Sequence, residues 1–437
     1  MSKLEVADGL RRARTQGYEH AVVSWVDDDG YPMSVAGPFV AQESVGSLDV
    51  GPLGVNPPSG SDMCVIVSHI RPRPGVGYDE RRYVTLWGAA GTIEDGTVTL
   101  APSSAAGWDE HDTPFVEYAE RSVGRGLSYL DAHDAKPRVT AAQRFFLATR
   151  VPFLTATLVP LGLAAAVAAY DGRMHWGWWL LALLSAVTAH LGLNVVNDLA
   201  DDASGADAAN MTPTMFSGGS RVIQYRLITR RGMIALCLGL YAVSAASGII
   251  LAITRSWWLL VIGAVAVVLS VEYTAPPLRL VHRGLGEPVV AIGFGPIMAV
   301  GAYVAVTMRW SWDILYVSLP VGILIALVLY INQIPDQRGD AAIGKRTVVV
   351  RWSHTTVLYA YAAAVAVAEA MIVGGVLGGL MPGWTLLALL GVPLAVITYR
   401  GARAHYEQPY ELSTAMAANI GLHAITGVLL IVGYVIA

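Results

Sequence analysis

The chain predicts a multi-pass α-helical membrane bundle of about nine transmembrane helices behind a soluble, mainly-β split-barrel domain. Three observations carry that prediction. Of 437 residues, 54% are hydrophobic and only 14% charged, where an ordinary soluble protein carries roughly 25% charged residues. The imbalance is one-sided: up to about Lys136 the chain is mixed and polar, and from Arg144 it is apolar runs broken by short charged loops. Two clusters of carboxylates sit at the ends of apolar runs, where charge is expensive. The domain boundaries expected are 1–135 for the soluble part and 140–437 for the membrane part.

The soluble part reads as short strands between turn residues. An opening helix spans Leu4–Gly17. His20–Val26 alternates into the turn Asp27-Asp28-Asp29-Gly30, and Tyr31–Val35 returns as a hairpin partner. Met63–His69 and Arg82–Ile93 are further strands, Asp95-Gly96 turns into Thr97–Ala101, and Phe115–Leu130 is helical. Several short strands with few helices predict a small barrel. The Pro- and Gly-rich stretch 71–77 is a loop.

In the membrane part, apolar stretches near 150–170, 177–198, 233–253, 257–275, 288–307, 312–333, 355–378, 383–399 and 414–436 approach the ~20 residues a span needs. Loop charge orients them. With the N-terminus inside, the cytoplasmic loops carry Arg221, Arg226, Arg230, Arg231, Arg279, Arg283, Arg338, Lys345, Arg346, Arg351, Arg400 and Arg403. The opposite loops carry only Arg173, Arg255 and Arg309. The positive-inside rule then puts the N-terminal domain and both acidic clusters in the cytoplasm and the C-terminus on the opposite side. The net charge of −4 does not point to nucleic acid. Cys64 and Cys237 are read as inert thiols, not a disulfide. The polar first thirty residues predict no cleaved signal peptide.

The first acidic cluster holds Asn194, Asn197, Asp198, Asp201 and Asp202, with Gly205 and Asp207 just beyond. At about 100° per residue the first five fall within about a 140° arc of one helix, with His190 in the same arc one turn deeper. The second cluster holds Asn332, Asp336 and Asp340, followed by Gly344, Lys345, Arg346 and Thr347. Pro335 is expected to disturb the helix there. Facing carboxylate sets suit Mg²⁺, which takes hard oxygen ligands and is usually held by one or two carboxylates plus substrate phosphate. The expected metal ligands are Asn194, Asp198, Asp201, Asp202, Asp336 and Asp340, with Asp198, Asp201, Asp336 and Asp340 as the catalytic set. Asn194 and Asn197 are expected in the substrate site, supplying neutral oxygen ligands or orienting the carboxylates. Lys345, Arg346 and Arg221 are placed to hold phosphate oxygens, and the amides of Gly218-Gly219-Ser220 suit an anion. Tyr273 is a candidate to line the cavity and face a cation, and His190 a candidate pocket residue. Glu369 is a further intramembrane acid, away from both clusters.

Four motifs in order carry a resemblance. Asn197-Asp198 to Asp201 with Gly205, Asp207, Thr212-Pro213 and Gly218–Gln224 is similar to the first Asp-rich motif of the UbiA superfamily of membrane prenyltransferases, nearest its MenA-like branch. Tyr273 with Pro276, Pro277 and Arg279, and Arg283-Gly284 with Gly286-Glu287, follow the same pattern. Asp336 to Asp340 with Gly344-Lys345-Arg346-Thr347 resembles the second Asp-rich motif. Gly205 stands where many other branches have Asp. The likeness covers about residues 140–437. It implies a nine-helix bundle, Mg²⁺, a lateral opening to membrane lipid, and transfer of a polyprenyl group from prenyl diphosphate onto an aromatic acceptor (naphthoate, hydroquinone or phenol). A UbiA-type membrane terpene cyclase is the alternative enzyme. An ion-coupled transporter fits less well, because no repeat halves are evident and the acids lie at one face.

The strand order of the soluble part resembles the flavin-binding split barrel of pyridoxamine-phosphate-oxidase-like proteins, through the hairpin at Asp29–Pro32 and the strand Tyr83–Gly88. That resemblance implies FMN or a deazaflavin, with Arg71, Arg73, Arg81 and Arg82 near its phosphate and His69 near its ring, and a domain that reduces or binds the acceptor.

Overall fold

The structure, a computed structural model, describes residues 2–74, 77–210, 212–274 and 277–437. The stretch 71–77, expected as a loop, is strand at Arg71–Arg73 and at Gly77, because the two long strands pair almost to their turn; residues 75–76, the Arg73 side chain and Pro276 of the second of the four motifs lie outside what is described. The chain divides into two compact units, Met1–Gly126 and Leu127–Ala437, so the division falls inside the helix Phe115–Ala132.

The first unit is an antiparallel sheet of β1 (Ser2–Leu4), β2 (Ala21–Val26), β3 (Pro32–Gly37), β4 (Phe39–Gln42), β5 (Ser47–Val50), β6 (Asp62–Arg73), β7 (Gly77–Glu94) and β8 (Thr97–Asp109). The order is β3-β2-β6-β7-β8-β5-β4, with β1 added to β8. Alternation sets each strand's inner face: Ala21, Val23 and Trp25 are buried while Val22 and Val26 are exposed. Val23, Leu48, Val65, Leu86 and Leu100 share one core, and Met33, Val35 and Phe39 from the two ends of the sheet pack on it. A sheet whose ends meet the same core has curled into a half-barrel. Register shifts at Trp87/Gly88 help it bend; a Cβ on Gly88 would lie 2.2 Å from the Ala101 carbonyl. The expected hairpin turn is present, with Asp27 Oδ1 accepting from the amides of Asp29 and Tyr31. The β1 edge strand and the β4–β5 hairpin were not expected from the sequence, because four-residue strands between Pro38, Gly46 and Gly51 are too short to show a period.

The second unit is helical. Among the described residues, eight helices are long and apolar enough to cross a membrane: Val151–Tyr170, Trp176–Ser204, Arg230–Thr254, Gly286–Thr307, Trp312–Asn332, His354–Leu377, Gly383–Ala404 and Ser413–Val435. The ninth expected span is the shorter apolar helix Trp258–Thr274, of 17 residues, the lower limit for a crossing. Trp176, Trp257, Trp258, Trp310, Trp312 and Trp384 are all exposed, and all lie at the helix ends remote from the acidic motifs. Their amphipathic rings form a belt suited to one membrane–water interface.

Two local breaks shape the wall of the bundle. In Gly286–Thr307 the segment Gly293–Ile297 widens to a π-turn around Pro296, which lacks the N–H a regular helix needs there. The helix Trp312–Asn332 ends before Pro335, as expected, and a short helix Gln337–Ala342 resumes after a turn. These two elements approach closely at Gly295 and Gly322, where a Cβ on Gly322 would fall 2.3 Å from the Ala291 carbonyl. Small residues at such a crossing let backbones touch. Gly322→Val is therefore expected to cost about 1–3 kcal/mol through overpacking, seen as a lower thermal midpoint of the purified protein. Gly239→Ala, where no atom lies within 4 Å of the new Cβ, is expected to leave the midpoint unchanged or higher.

Candidate active site

The first acidic motif ends a single 29-residue helix, Trp176–Ser204, closed by Gly205 in the left-handed conformation. The chain turns there and offers Asp207 back toward the helix. His190, Asn194, Asn197 and Asp201 repeat at helical spacing and line one cavity of about 1370 Å³. Asp198 and Asp202 lie together on one flank of that face and are not on the cavity wall. Asp198 is 1% exposed. It is paired with Arg150 and accepts from the Ser220 hydroxyl and, at 3.4 Å, from the Ser220 amide. Asp202 accepts from Gln224 at 3.2 Å and lies 4.0 Å from Arg230.

Arg150 had no role in the sequence reading. A capping box of Thr140 and Gln143 starts the helix Ala141–Thr149, and Arg150 ends it in the left-handed region with φ 50°. For a non-glycine residue that conformation costs roughly 1–2 kcal/mol. It carries the guanidinium to Asp198 and onto the cavity wall. Asn194 donates to the Thr149 carbonyl at 2.9 Å, so the same turn is tied to the first motif twice.

The segment from Asp207 to Arg221 joins the two motifs. Gly218 N–H reaches Asp336 Oδ2 at 3.3 Å, and Asn210 Nδ2 donates to Asp336 Oδ1 at 2.8 Å. Two residues on, Ser220 holds Asp198. Gly218 and Gly219 have φ of 81° and 77°, a region that favours glycine. A Cβ on Gly219 would sit 2.5 Å from the Asp207 carboxylate. The amides of this loop do face anions, but the anions are the protein's own carboxylates rather than a phosphate. Arg221 is likewise used internally: it is buried and donates to the carbonyls of Asp207 and Asn210. It braces the loop and is not on the cavity wall, contrary to the expected phosphate contact.

The second motif brings Asp336, Asp340 and Lys345 to the cavity. Lys345 Nζ lies 3.1 Å from Asp340 Oδ1, while Asp340 Oδ2 is buried with no hydrogen-bond partner. Arg346 is exposed and off the wall; its amide donates to the His282 carbonyl at 3.2 Å. Tyr273 lines the cavity, its hydroxyl 3.5 Å from where a Gly286 Cβ would be. His190 donates to or accepts from Thr157 at 2.8 Å and meets the Phe294 ring edge-on at 4.8 Å. Glu369 is off the wall, and its carboxylate oxygens are buried without partners.

Burial, then the charges of Asp201 and Asp198, push Asp207 up to about 7. Burial, then Asp340, push Asp336 up to about 7 as well. Burial works against the Lys345 charge, yet Asp340, Asp201, Tyr273 and Asp336 hold it above the ordinary lysine value. The ammonium thus feels carboxylates from both motifs. Among the described residues, no three His, Cys, Asp or Glu side chains stand together as a metal-holding group.

The flavin candidates of the first unit are otherwise engaged. Arg71 pairs with Asp79 at 2.8 Å and Glu80 at 2.7 Å, and His69 lies 3.4 Å from Glu80. Arg81 pairs with Glu110, holding that carboxyl below its usual range, and lies over the Phe115 ring. Arginines matched to carboxylates in this way are not an open phosphate site.

Residues 158–432 match the UbiA prenyltransferase family. The chain belongs to that family. It is 30% identical over 298 residues to the 2-carboxy-1,4-naphthoquinone phytyltransferase of Synechocystis sp., covering 67% of this chain and 94% of that protein. It is 26% identical over 312 residues to the 1,4-dihydroxy-2-naphthoate octaprenyltransferase of Bacillus subtilis, covering 70% and 97%. A solved UbiA homolog from Aeropyrum pernix K1 aligns at a TM-score of 0.49 and 17% identity, over 64% of this chain and 97% of that one. The protein is an integral membrane prenyltransferase. In this UbiA member the two acidic motifs face one cavity and are joined by the Asp207–Arg221 segment. Gly219→Ala is expected to displace the Asp207 carboxylate and to lower turnover at least about tenfold, the equivalent of ~1.4 kcal/mol. Turnover and thermal midpoint measured side by side check this; wild-type turnover with a Cβ at Gly219 would contradict it.

Proposed function

We propose that the protein transfers a polyprenyl group from prenyl diphosphate to a hydroxylated naphthoate-type aromatic acceptor, releasing diphosphate, with Mg²⁺ as cofactor. The observation that carries the reading is the meeting of Asp201 and Asp207 with Asp336, Asp340 and Lys345 on the wall of one largely apolar cavity. The names of the two relatives support a naphthoate-class acceptor.

The residues fit Mg²⁺. Their donors are hard carboxylate oxygens, Asp340 Oδ2 has no hydrogen-bond partner, and burial together with neighbouring carboxylates raises Asp207 and Asp336. A divalent cation answers all three conditions. No three of these carboxylates stand together, so Asp201 and Asp207 on one side and Asp336 and Asp340 on the other would each supply the one or two carboxylates that Mg²⁺ takes alongside substrate phosphate, with Asn194 and Asn197 beside the first pair; Asp198 and Asp202 act from behind by positioning Arg150 and the Ser220–Gln224 turn. Bound Mg²⁺ supplies charge neutralisation of the departing diphosphate. Lys345 and Arg150, both on the wall, donate to diphosphate oxygens. Tyr273 and Phe294 present ring faces and edges to the allylic carbon, and the apolar wall keeps water from it. Asp201 or water takes the final ring proton.

The loop charges support a cytoplasmic placement for the N-terminal unit and the acidic motifs, with the C-terminus opposite. We take residues 1–135 as an acceptor-handling domain and 140–437 as the prenyltransferase. The first assignment rests on the fusion, and the paired state of His69, Arg71 and Arg81 gives it no flavin contact.

Incubation with Mg²⁺, geranylgeranyl diphosphate and 1,4-dihydroxy-2-naphthoate, read by mass spectrometry, is expected to yield a prenylated ring. A cyclised hydrocarbon formed without acceptor would overturn the reading. Asp201→Ala, Asp336→Ala and Asp340→Ala are each expected to lower turnover at least about a hundredfold, ~2.7 kcal/mol of barrier. Metal binding must displace protons from Asp207 and Asp336. Their raised values mean that below about pH 7 both are protonated without metal, so Mg²⁺ affinity is expected to fall as pH drops from 8 to 6. A Mg²⁺ titration flat across that range would contradict the assignment.

A further inference from the structure

Several residues that line the cavity carry a buried polar atom with no hydrogen-bond partner, among them Asn332 (Oδ1), Gln333 (Oε1) and His423 (Nδ1). Leaving such an atom unpaired is costly. Asn332 and Gln333 lie within one turn of Asp336 in sequence. His423 comes from the last helix, Ser413–Val435, in which neither acidic motif takes part. It is 1% exposed.

His423 is the informative member, because one of its ring nitrogens already has a protein partner. Its Nε2 lies 3.4 Å from the Thr155 carbonyl oxygen, which can only accept. Nε2 therefore carries the hydrogen, and Nδ1 is a bare lone pair. Thr155, Ala156 and Ile420 line the same cavity. A fixed lone pair in an apolar cavity calls for a donor. A prenyl chain has none, and an ionised diphosphate offers only acceptors. A ring hydroxyl has one.

We propose that His423 Nδ1 accepts a hydrogen bond from a ring hydroxyl of the aromatic acceptor, and that Asn332 and Gln333 face the other polar substituents of that ring. This places the acceptor subsite between the last helix and the end of Trp312–Asn332, beside the carboxylates that hold the donor. A hydroxyl donating to a fixed lone pair holds the ring in one orientation, which selects the carbon that meets the allylic carbon. The inference rests on the prenyl-transfer reading.

The test uses the full-length protein with Mg²⁺, geranylgeranyl diphosphate and 1,4-dihydroxy-2-naphthoate. His423→Ala is expected to raise the acceptor KM about tenfold, the loss of one hydrogen bond, with the donor KM unchanged. His423→Asn, whose Oδ1 falls near the place of Nδ1, is expected to recover most of that loss. His423→Gln, which reaches toward the place of Nε2, is not. With the acceptor's hydroxyls O-methylated, wild type and His423→Ala are expected to share one KM. An Ala variant with wild-type acceptor KM, a donor KM that rises in parallel, or Gln rescuing as well as Asn would overturn the subsite. A wild-type protein that prenylates no hydroxylated ring would instead overturn the reading beneath it.

Discussion

The structure depends on holding like charges together inside a bundle of low dielectric. Two carboxylates 4 Å apart repel by about 4 kcal/mol at an effective dielectric of 20, and this cavity collects them from both motifs. The protein meets that cost by local partnering. Arg150 and Ser220 take Asp198, Asn210 and the Gly218 amide take Asp336, and Lys345 takes one oxygen of Asp340. Asn210, Gly218 and Ser220 come from one segment, Arg150 from the turn before the first span, and Lys345 from the second motif itself. The acidic motifs are therefore brought into register by the loop and turn residues around them as much as by the packing of their helices. Asp201 and Asp207 are left facing the cavity.

This division of labour explains a sequence with so many chemically suitable residues. Only a subset faces the cavity. The others fix the subset, by bracing the Asp207–Arg221 segment or by neutralising a carboxylate behind the wall. Removing one partner of such a buried pair strands the other charge, which costs about 3–5 kcal/mol, so positioning residues and wall residues are expected to be comparably intolerant of change. The apolar remainder of the cavity, lined by Gly293, Phe294 and Ile297 of the π-turn, would give a hydrocarbon chain room beside the acidic residues.

The apolar segments were legible in sequence because a span is a local property: twenty apolar residues need no partner to be recognised. The acidic stripe was legible for the same reason, since helical phase places Asp201 with Asn194 and Asn197. The hairpin at Asp27–Tyr31 carries its own turn chemistry. What sequence could not show was the direction of long side chains. Arg221 sits in a glycine-rich loop that resembles a phosphate cradle, and only the fold reveals that its guanidinium closes on Asp207 and Asn210. Arg150 precedes the first span like an ordinary interfacial charge, and its pairing with Asp198 spans 48 residues. Arg71 and Arg81 had carboxylates within reach on their own hairpin and neighbouring strand, a competition that strand composition does not display. His423 carried no signal at all, being one polar residue in an apolar run.

The central claim is that the two acidic motifs act as one diphosphate site. A double-mutant cycle on equilibrium binding tests it most directly, using a non-ionising prenyl thiolodiphosphate with Mg²⁺ and the variants Asp201→Ala, Asp340→Ala and their combination. If both motifs clamp one ligand, each single change weakens binding and the double change falls well short of the sum, with a coupling of at least about 1 kcal/mol. Strictly additive losses, or binding that one of the two changes leaves untouched, would show that the motifs do not share a ligand.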